Sequence, residues 1–440
     1  MAMDVTLTGN PLWARAIGGS AFDVGSAVAV DENDQVGGKK ASTVAVAGTV
    51  EGDINLGPPR AGGVMGYDVF FAKFASDGQP VWSYRYGSAA EERALAVAVA
   101  LDGSVIVAGY FKSRLSLGGA ELVSAGDGDV FVAKYTRSGE HKWSRRFGGT
   151  GNDAAQALAV DDQGNIAVTG YCSDGCDLGR GPQPTAGKND VFVLKLSSTG
   201  QPLWSRIFGS PNSDIGLGIV VDRSARISVV GGYSGTLDPG SGPLASIGKD
   251  DAFIAQYGAD GMPLWGRNFG GSGNDAALTI ALDPGGDLLV GGAFNETMTV
   301  ARTQLQSSGA EDAFVLRLSA TGEERWARGF GGPGSDAVTG LAIDRFGIVL
   351  GGYFTDRIDL GGGPLRGAGL IDFLVARLDA SGRHLWSKGF GGPASDAAMA
   401  VASTSTGVVA TGYLQESLDP GTGPVTSAGS YDLFLWRSER

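Results

Sequence analysis

Tryptophan falls at positions 13, 82, 143, 204, 265, 326 and 386, with spacings of 69, 61, 61, 61, 61 and 60 residues. An eighth, Trp436, is off this register. So regular a period across 440 residues constrains the fold more than any other feature, because it divides the chain into seven copies of one structural unit. The first spacing is longer by 8, and the surplus lies in "DENDQVGGKKAST" (31–43), where other copies turn in a few residues.

One unit, read from residue 151, resolves into four strand signals. These are "AAQALAV" (154–160), "IAVTGY" (166–171), "DVFVLKL" (190–196) and "PLWSRIF" (202–208). Gly-, Ser- and Asp-rich turns separate them, with a long connection over 172–189. Short β-branched and aromatic runs bounded by such turns read as hairpin-connected strands. Glycine, 74 of 440 residues, follows no period of three, so the excess marks tight turns and not a collagen. No window carries a 3.6-residue apolar period, so helices should be few.

Four antiparallel strands repeated in tandem point to a seven-bladed β-propeller occupying residues 1–440 as one domain. An open stack would leave bare edges, which a ring removes. The chain begins on a fourth strand, "PLWARAI" (11–17), and ends on a third, "YDLFLWR" (431–437), so the N-terminal strand is expected to complete the last blade.

The unit "G..D.FV.K....G...W...FGG.G.D.A.A.AVD..G...V.GY" resembles the bacterial SBBP-type β-propeller repeat over about 420 residues. That resemblance implies an exported, periplasmic or surface-attached bacterial protein whose leader is not in this chain. "LDASGRHLW" (378–386) is similar to the tryptophan-docking turn of PQQ-type propellers, which implies blade packing; quinone binding does not follow from it.

The repeat supplies an internal control. A residue present in every copy serves what every blade needs, and a residue present once is the better functional candidate. The tryptophans therefore read as inter-blade packing. A basic residue two places after Trp (Arg15, Arg145, Arg206, Arg267, Arg328, Lys388) and another in the third strand (Lys73, Lys134, Lys195, Arg317, Arg377, Arg437) read as partners for nearby carboxylates.

Two acid sets recur. One precedes the innermost strand: Asp23, Glu92, Asp153, Asp214, Asp275, Asp336 and Asp396. The other opens the third strand: Asp68, Asp129, Asp190, Asp251, Asp312, Asp372 and Asp432. Both should lie on one face, the first around the mouth of a central channel. They could cap Gly-rich turns or form a ring of charge for a cation or basic partner. Calcium suits such oxygens, but no "DxDxDG" loop is present, so no cofactor is assigned.

Copies two and five depart from the pattern. Copy two reads "GSAAEERALAV", placing Glu91, Glu92 and Arg93 where others have small residues, with Lys112 and Arg114 following. Copy five, "AFNETMTVARTQLQSS", loses the tyrosine seen at Tyr110, Tyr171, Tyr233, Tyr353 and Tyr413 and adds Asn295 and Glu296. These departures are either ordinary drift in exposed loops or the place of an asymmetric ligand site, with Glu91, Glu92 and Arg93 the only candidates for catalysis. Cys172 and Cys176, alone in the chain and without a further Cys or His pair, are expected to close a small disulfide loop in an oxidising compartment and not a zinc site.

The net charge of −13 argues against nucleic acid and anionic lipid as partners, and no apolar run approaches the ~20 residues of a membrane helix. The opening "MAMDVTLTGNPLWAR" lacks the pattern of a secretory signal. Only two histidines, His141 and His384, are present, in different copies, which removes the usual base for hydrolytic chemistry. The expectation is a monomeric, non-catalytic binding or scaffold propeller that holds a protein or glycan on its long-loop face. The alternatives are a carboxylate-based enzyme at the channel mouth and a multivalent lectin.

Overall fold

The computed structural model describes residues 7–36, 39–52, 54 and 66–440. The described residues form seven antiparallel four-stranded sheets, with two-stranded hairpins in several second-to-third-strand connections. Blade 1 begins at the innermost strand Val24–Val36, and blades 2 to 7 at Glu92–Val99, Ala154–Val160, Ile215–Val221, Asp275–Leu282, Ala337–Asp344 and Ala397–Thr404. Each innermost strand packs beside the next, and the first packs beside the last, so the sheets form a closed seven-bladed propeller.

The closure is the one expected from the chain ends. Pro11–Ile17 pairs antiparallel with Asp432–Glu439 and becomes the outer strand of blade 7, with Ala14 opposite Trp436 and Ile17 opposite Leu433. Trp436, the tryptophan outside the period, is fully buried in that third strand. It occupies the register of Ala133 in blade 2.

Burial follows position in the blade. Second and third strands are covered by a neighbouring blade on each side, so they read as nearly continuous apolar runs such as "VIVAGYF" and "DVFVAKY". Outer strands such as Pro202–Phe208 alternate between covered and open positions. The apolar residues accordingly form a core at each blade junction. Phe71 and Trp82 of blade 1 join Val107 and Phe131 of blade 2, and Ile17 and Leu433 of blade 7 join Val46 and Phe70 of blade 1.

The recurring tryptophans latch these junctions. Trp82, Trp143, Trp204 and Trp326 each donate the indole N–H to a backbone carbonyl in the third-to-fourth-strand turn of the following blade, at 3.0, 3.2, 3.0 and 3.3 Å. Trp13 does the same to Ser76 of blade 1 at 3.0 Å, across the closure. Third-strand cations meet acids of the first-to-second-strand turn: Lys73 with Asp31 and Asp34 at 3.2 and 2.6 Å, and Arg377 with Asp344 at 2.7 Å.

The surplus of copy one lengthens the first hairpin, whose strands Val24–Val36 and Lys39–Glu51 each run 13 residues. Residues 37 and 38 of that expected insertion lie outside the described residues. Register corrects one alignment. Tyr110, Tyr171, Tyr353 and Tyr413 are penultimate in their second strands, but Tyr233 is last and pairs with Asp251 as Phe111 pairs with Asp129. The consecutive glycines Gly231 and Gly232 hide this one-residue slip, so blade 4, like blade 5, lacks the penultimate tyrosine.

Candidate functional site

The loops entering the innermost strands and those entering the third strands meet on one face, here called the upper face. Short bridges record the contact, Phe22 with Tyr431 and Asn189 with Ser213 among them. Both acid sets lie there, but the innermost acids are not a ring of exposed charge. Asp23, Glu92, Asp153, Asp214, Asp275, Asp336 and Asp396 are all buried. Each accepts the backbone N–H of the residue four places earlier, as Asp153 does from Gly149 at 2.7 Å and Asp396 from Gly392 at 2.7 Å. A second bond ties several of them to the end of the second strand, such as Ser173 N–H to Asp153 at 2.8 Å. A carboxylate fits because two loop N–H groups converge on it. These residues therefore hold the inter-blade crossing in shape.

Each innermost acid also faces a third-strand acid of the preceding blade across a glycine. At Gly18 a Cβ would lie 2.6 Å from Asp23 and 2.7 Å from Asp432, and at Gly148 it would lie 2.1 Å from Asp129 and 2.6 Å from Asp153. Burial, and then the facing acid, push these carboxyls up: Asp23 and Asp153 to about 6, Asp275 and Asp336 to about 7. Glu92 rises for the same reasons, burial first.

In blade 2 the three charged residues singled out for catalysis do not converge. Glu92 is buried against Ser88, whose N–H it accepts at 2.9 Å. Glu91 accepts from Arg93 Nε at 2.8 Å, Tyr110 Oη at 2.7 Å and Lys112 Nζ at 2.8 Å. Burial opposes its charge, yet the bonds from Lys112, Tyr110 and Arg93 outweigh that and bring its carboxyl down to about 2. Arg114 pairs instead with exposed Glu121. In blade 5 Asn295 Oδ1 accepts the Asn274 N–H at 2.6 Å and Glu296 accepts the Ser272 hydroxyl, so both clasp the crossing into their own blade. Blades 2 and 5 are not neighbours in the ring, and their two groups do not form one site.

A different set does come together. Tyr413 of blade 7 meets Tyr431 edge-on at 5.3 Å between ring centres, Tyr431 meets Phe22 at 5.4 Å, and Phe22 meets Tyr67 of blade 1 at 5.6 Å. The Arg93 guanidinium lies over the Tyr67 ring at 4.6 Å and leads on to Glu91, Tyr110 and Lys112. Every aromatic in this arc is half-buried. The arc spans blades 7, 1 and 2. At the junction of blades 4 and 5 the matching positions hold Asp250 and Asn274, and the second strands carry Gly232 and Ala293 in place of tyrosine. Sequence reasoning missed Phe22, Tyr67 and Tyr431, although each is aromatic at a position that the remaining copies fill with no aromatic residue: Glu91, Asn152, Ser213, Asn274, Ser335 and Ser395 match Phe22, and Gly128, Asn189, Asp250, Glu311 and Ile371 match Tyr67 and Tyr431.

The two cysteines are free thiols, so the expected disulfide is not formed. Cys172 is held at its strand end opposite Asp190 and Cys176 follows a turn through Asp174 and Gly175, both at positive φ; the two sulfurs do not reach bonding distance. They lie beside Asp153.

The lower face carries a cavity of about 420 Å³ between the first turns of blades 3, 4 and 5, lined by Asp161, Asp162, Asp222, Arg223 and Asp283. Three of these acids are engaged by their own turns, Asp161 by Gln163 N–H, Asp222 by Ser224 N–H and Asp283 by Gly285 N–H. Among the described residues no helix is long and apolar enough to cross a membrane.

No family model matches the chain, so no family match carries the SBBP likeness. The chain is 28% identical over 309 residues to the regulatory protein FlaEY of Caulobacter vibrioides, a match covering 63% of this chain and 31% of that protein. It is 22% identical over 266 residues to the uncharacterized WD repeat-containing protein L264 of Acanthamoeba polyphaga mimivirus, covering 50% of this chain and 19% of the other. The matches thus span less than a third of each relative's length. Among solved structures, Sqt1 from Chaetomium thermophilum matches with a TM-score of 0.46 and 12% identity over 97% of this chain and 98% of the other. The Pan2 WD40 domain of Neurospora crassa matches with a TM-score of 0.38 and 10% identity over 79% and 89%.

Proposed function

We propose that this propeller is a non-catalytic binding module that holds a protein or glycan partner on its upper face, against the arc Tyr413–Tyr431–Phe22–Tyr67–Arg93. One observation carries the reading. Residues 22, 67 and 431 depart from the repeat only to become aromatic, and the closed ring brings all three into a single contact chain. Aromatic side chains offer large apolar area with few degrees of freedom, and their faces suit both sugar rings and apolar peptide side chains. Arg93 adds a cation held in place by Glu91 and Tyr67, so little rotamer freedom remains to be lost on binding.

The partner is read as lying outside the cytoplasm of a bacterium, which rests on the repeat resemblance. The free thiols withdraw the support that a disulfide would have added.

The test compares the wild-type chain with a triple variant, Phe22→Ser, Tyr67→Asn and Tyr431→Asn, which installs the residue types of blades 3 and 4 at these positions. Both are applied to a glycan array and a peptide array. Binding of one ligand class by the wild type and its loss in the folded variant supports the reading. Equal binding by both overturns it.

A further inference from the structure

We propose that Asp153, Cys172 and Cys176 form a binding site for a thiophilic divalent cation of the zinc type. One carboxylate oxygen of Asp153 and the Sγ atoms of Cys172 and Cys176 all lie within 4.8 Å of one another. All three residues are fully buried. Zinc accepts thiolate and carboxylate donors in a tetrahedral shell, with about three protein ligands sufficing where a further position is left open. The sequence pattern argued against zinc because no second Cys or His pair exists; folding supplies the third donor from the loop that enters the innermost strand.

The other blades provide the control. In blades 2 and 4 to 7 the positions equivalent to Cys172 and Cys176 are Phe111 and Leu115, Tyr233 and Leu237, Phe294 and Met298, Phe354 and Ile358, and Leu414 and Leu418. All of these are buried apolar pairs that plug the junction core. Blade 3 alone places two thiols there. A single cysteine would serve as a small hydrophobe. Two at once, beside an acid, give up packing volume for donor atoms.

The carboxylate is already aimed. Asp153 receives Gly149 N–H on one oxygen at 2.7 Å and Ser173 N–H on the other at 2.8 Å, which leaves a lone pair on each. Such outer bonds orient a metal ligand before the ion arrives. Burial first, then Cys176 and the neighbouring Asp153 and Asp190, push the Cys172 thiol well up. A divalent ion entering would displace both protons and form two metal–thiolate bonds. The cover is one loop thick, since Asp174 and Gly175 between the cysteines are exposed.

The test titrates the reduced, full-length chain with zinc or cadmium under anaerobic conditions, following bound metal, released protons and the thiolate-to-cadmium charge-transfer absorbance. About one ion per chain and about two protons released are expected. Asp153→Asn should weaken binding by about 10-fold or more. The double variant Cys172→Phe, Cys176→Leu copies the blade 2 pair, keeps the core filled and should lose the ion while staying folded. Uptake by that variant equal to wild type, or unchanged affinity in Asp153→Asn, would overturn the proposal.

Discussion

Trp82, in the outer strand of blade 1, lies on Gly139, the residue that turns the third strand of blade 2 into its fourth. A Cβ on Gly139 would come 3.1 Å from the indole, and the ring N–H donates to Arg137 O at 3.0 Å. Gly139 has φ +87, a conformation that disfavours any side chain. The same contact recurs between Trp143 and Gly200, Trp204 and Gly261, and Trp326 and Gly382. Gly139→Ala should therefore destabilise by about 1–2 kcal/mol from backbone conformation alone. Trp82→Ala should cost about 3–5 kcal/mol. Equilibrium denaturation in urea measures both.

Lys73 is fully buried between Asp31 and Asp34. Removing its charge leaves two buried carboxylates whose other ion-pair partner among the described residues is the half-exposed Arg137 guanidinium, 3.2 Å from Asp31. Lys73→Met should destabilise by about 3–5 kcal/mol, because the loss is dominated by uncompensated charge and not by packing. A cost below that of a surface substitution would show that the hairpin relaxes outward.

The paired acids make stability depend on pH. Asp275 and Asp336, raised to about 7, and Asp23 and Asp153, raised to about 6, bind a proton more tightly folded than unfolded. Their stabilising contribution is full below about pH 4, near the unfolded carboxyl pKa, and is lost as pH rises through 6 to 7. The melting temperature should fall between pH 5 and pH 8. The net charge of −13 acts in the same direction, so the variant Asp275→Asn, which keeps an acceptor for Gly271 N–H, isolates the pair: its pH slope should be shallower than that of the wild type.

The ring itself was legible because Trp spacing, strand runs and complementary chain ends all agreed. Which face carried the acids was legible too, since strand connectivity decides it. Their burial was not, because it depends on the loop of the adjacent blade closing over them, as Gly148 does between Asp129 and Asp153. Tyr233 was misaligned because Gly231 and Gly232 look alike in sequence and differ only in ladder register. The aromatic arc was missed because its members lie at 22, 67 and 431, and only closure makes the first and last of them neighbours. Asp153 stands 19 residues before Cys172, and it is the pairing of Ala154 with Tyr171 that brings them side by side.

The most direct test of whether function resides in the residues that break the repeat is hydrogen exchange on the chain with and without its array-identified ligand. Protection confined to the upper-face segments around Phe22, Tyr67, Arg93 and Tyr431 is expected. Protection centred on blades 4 and 5, or on the lower-face turns near Asp161 and Asp222, would contradict it.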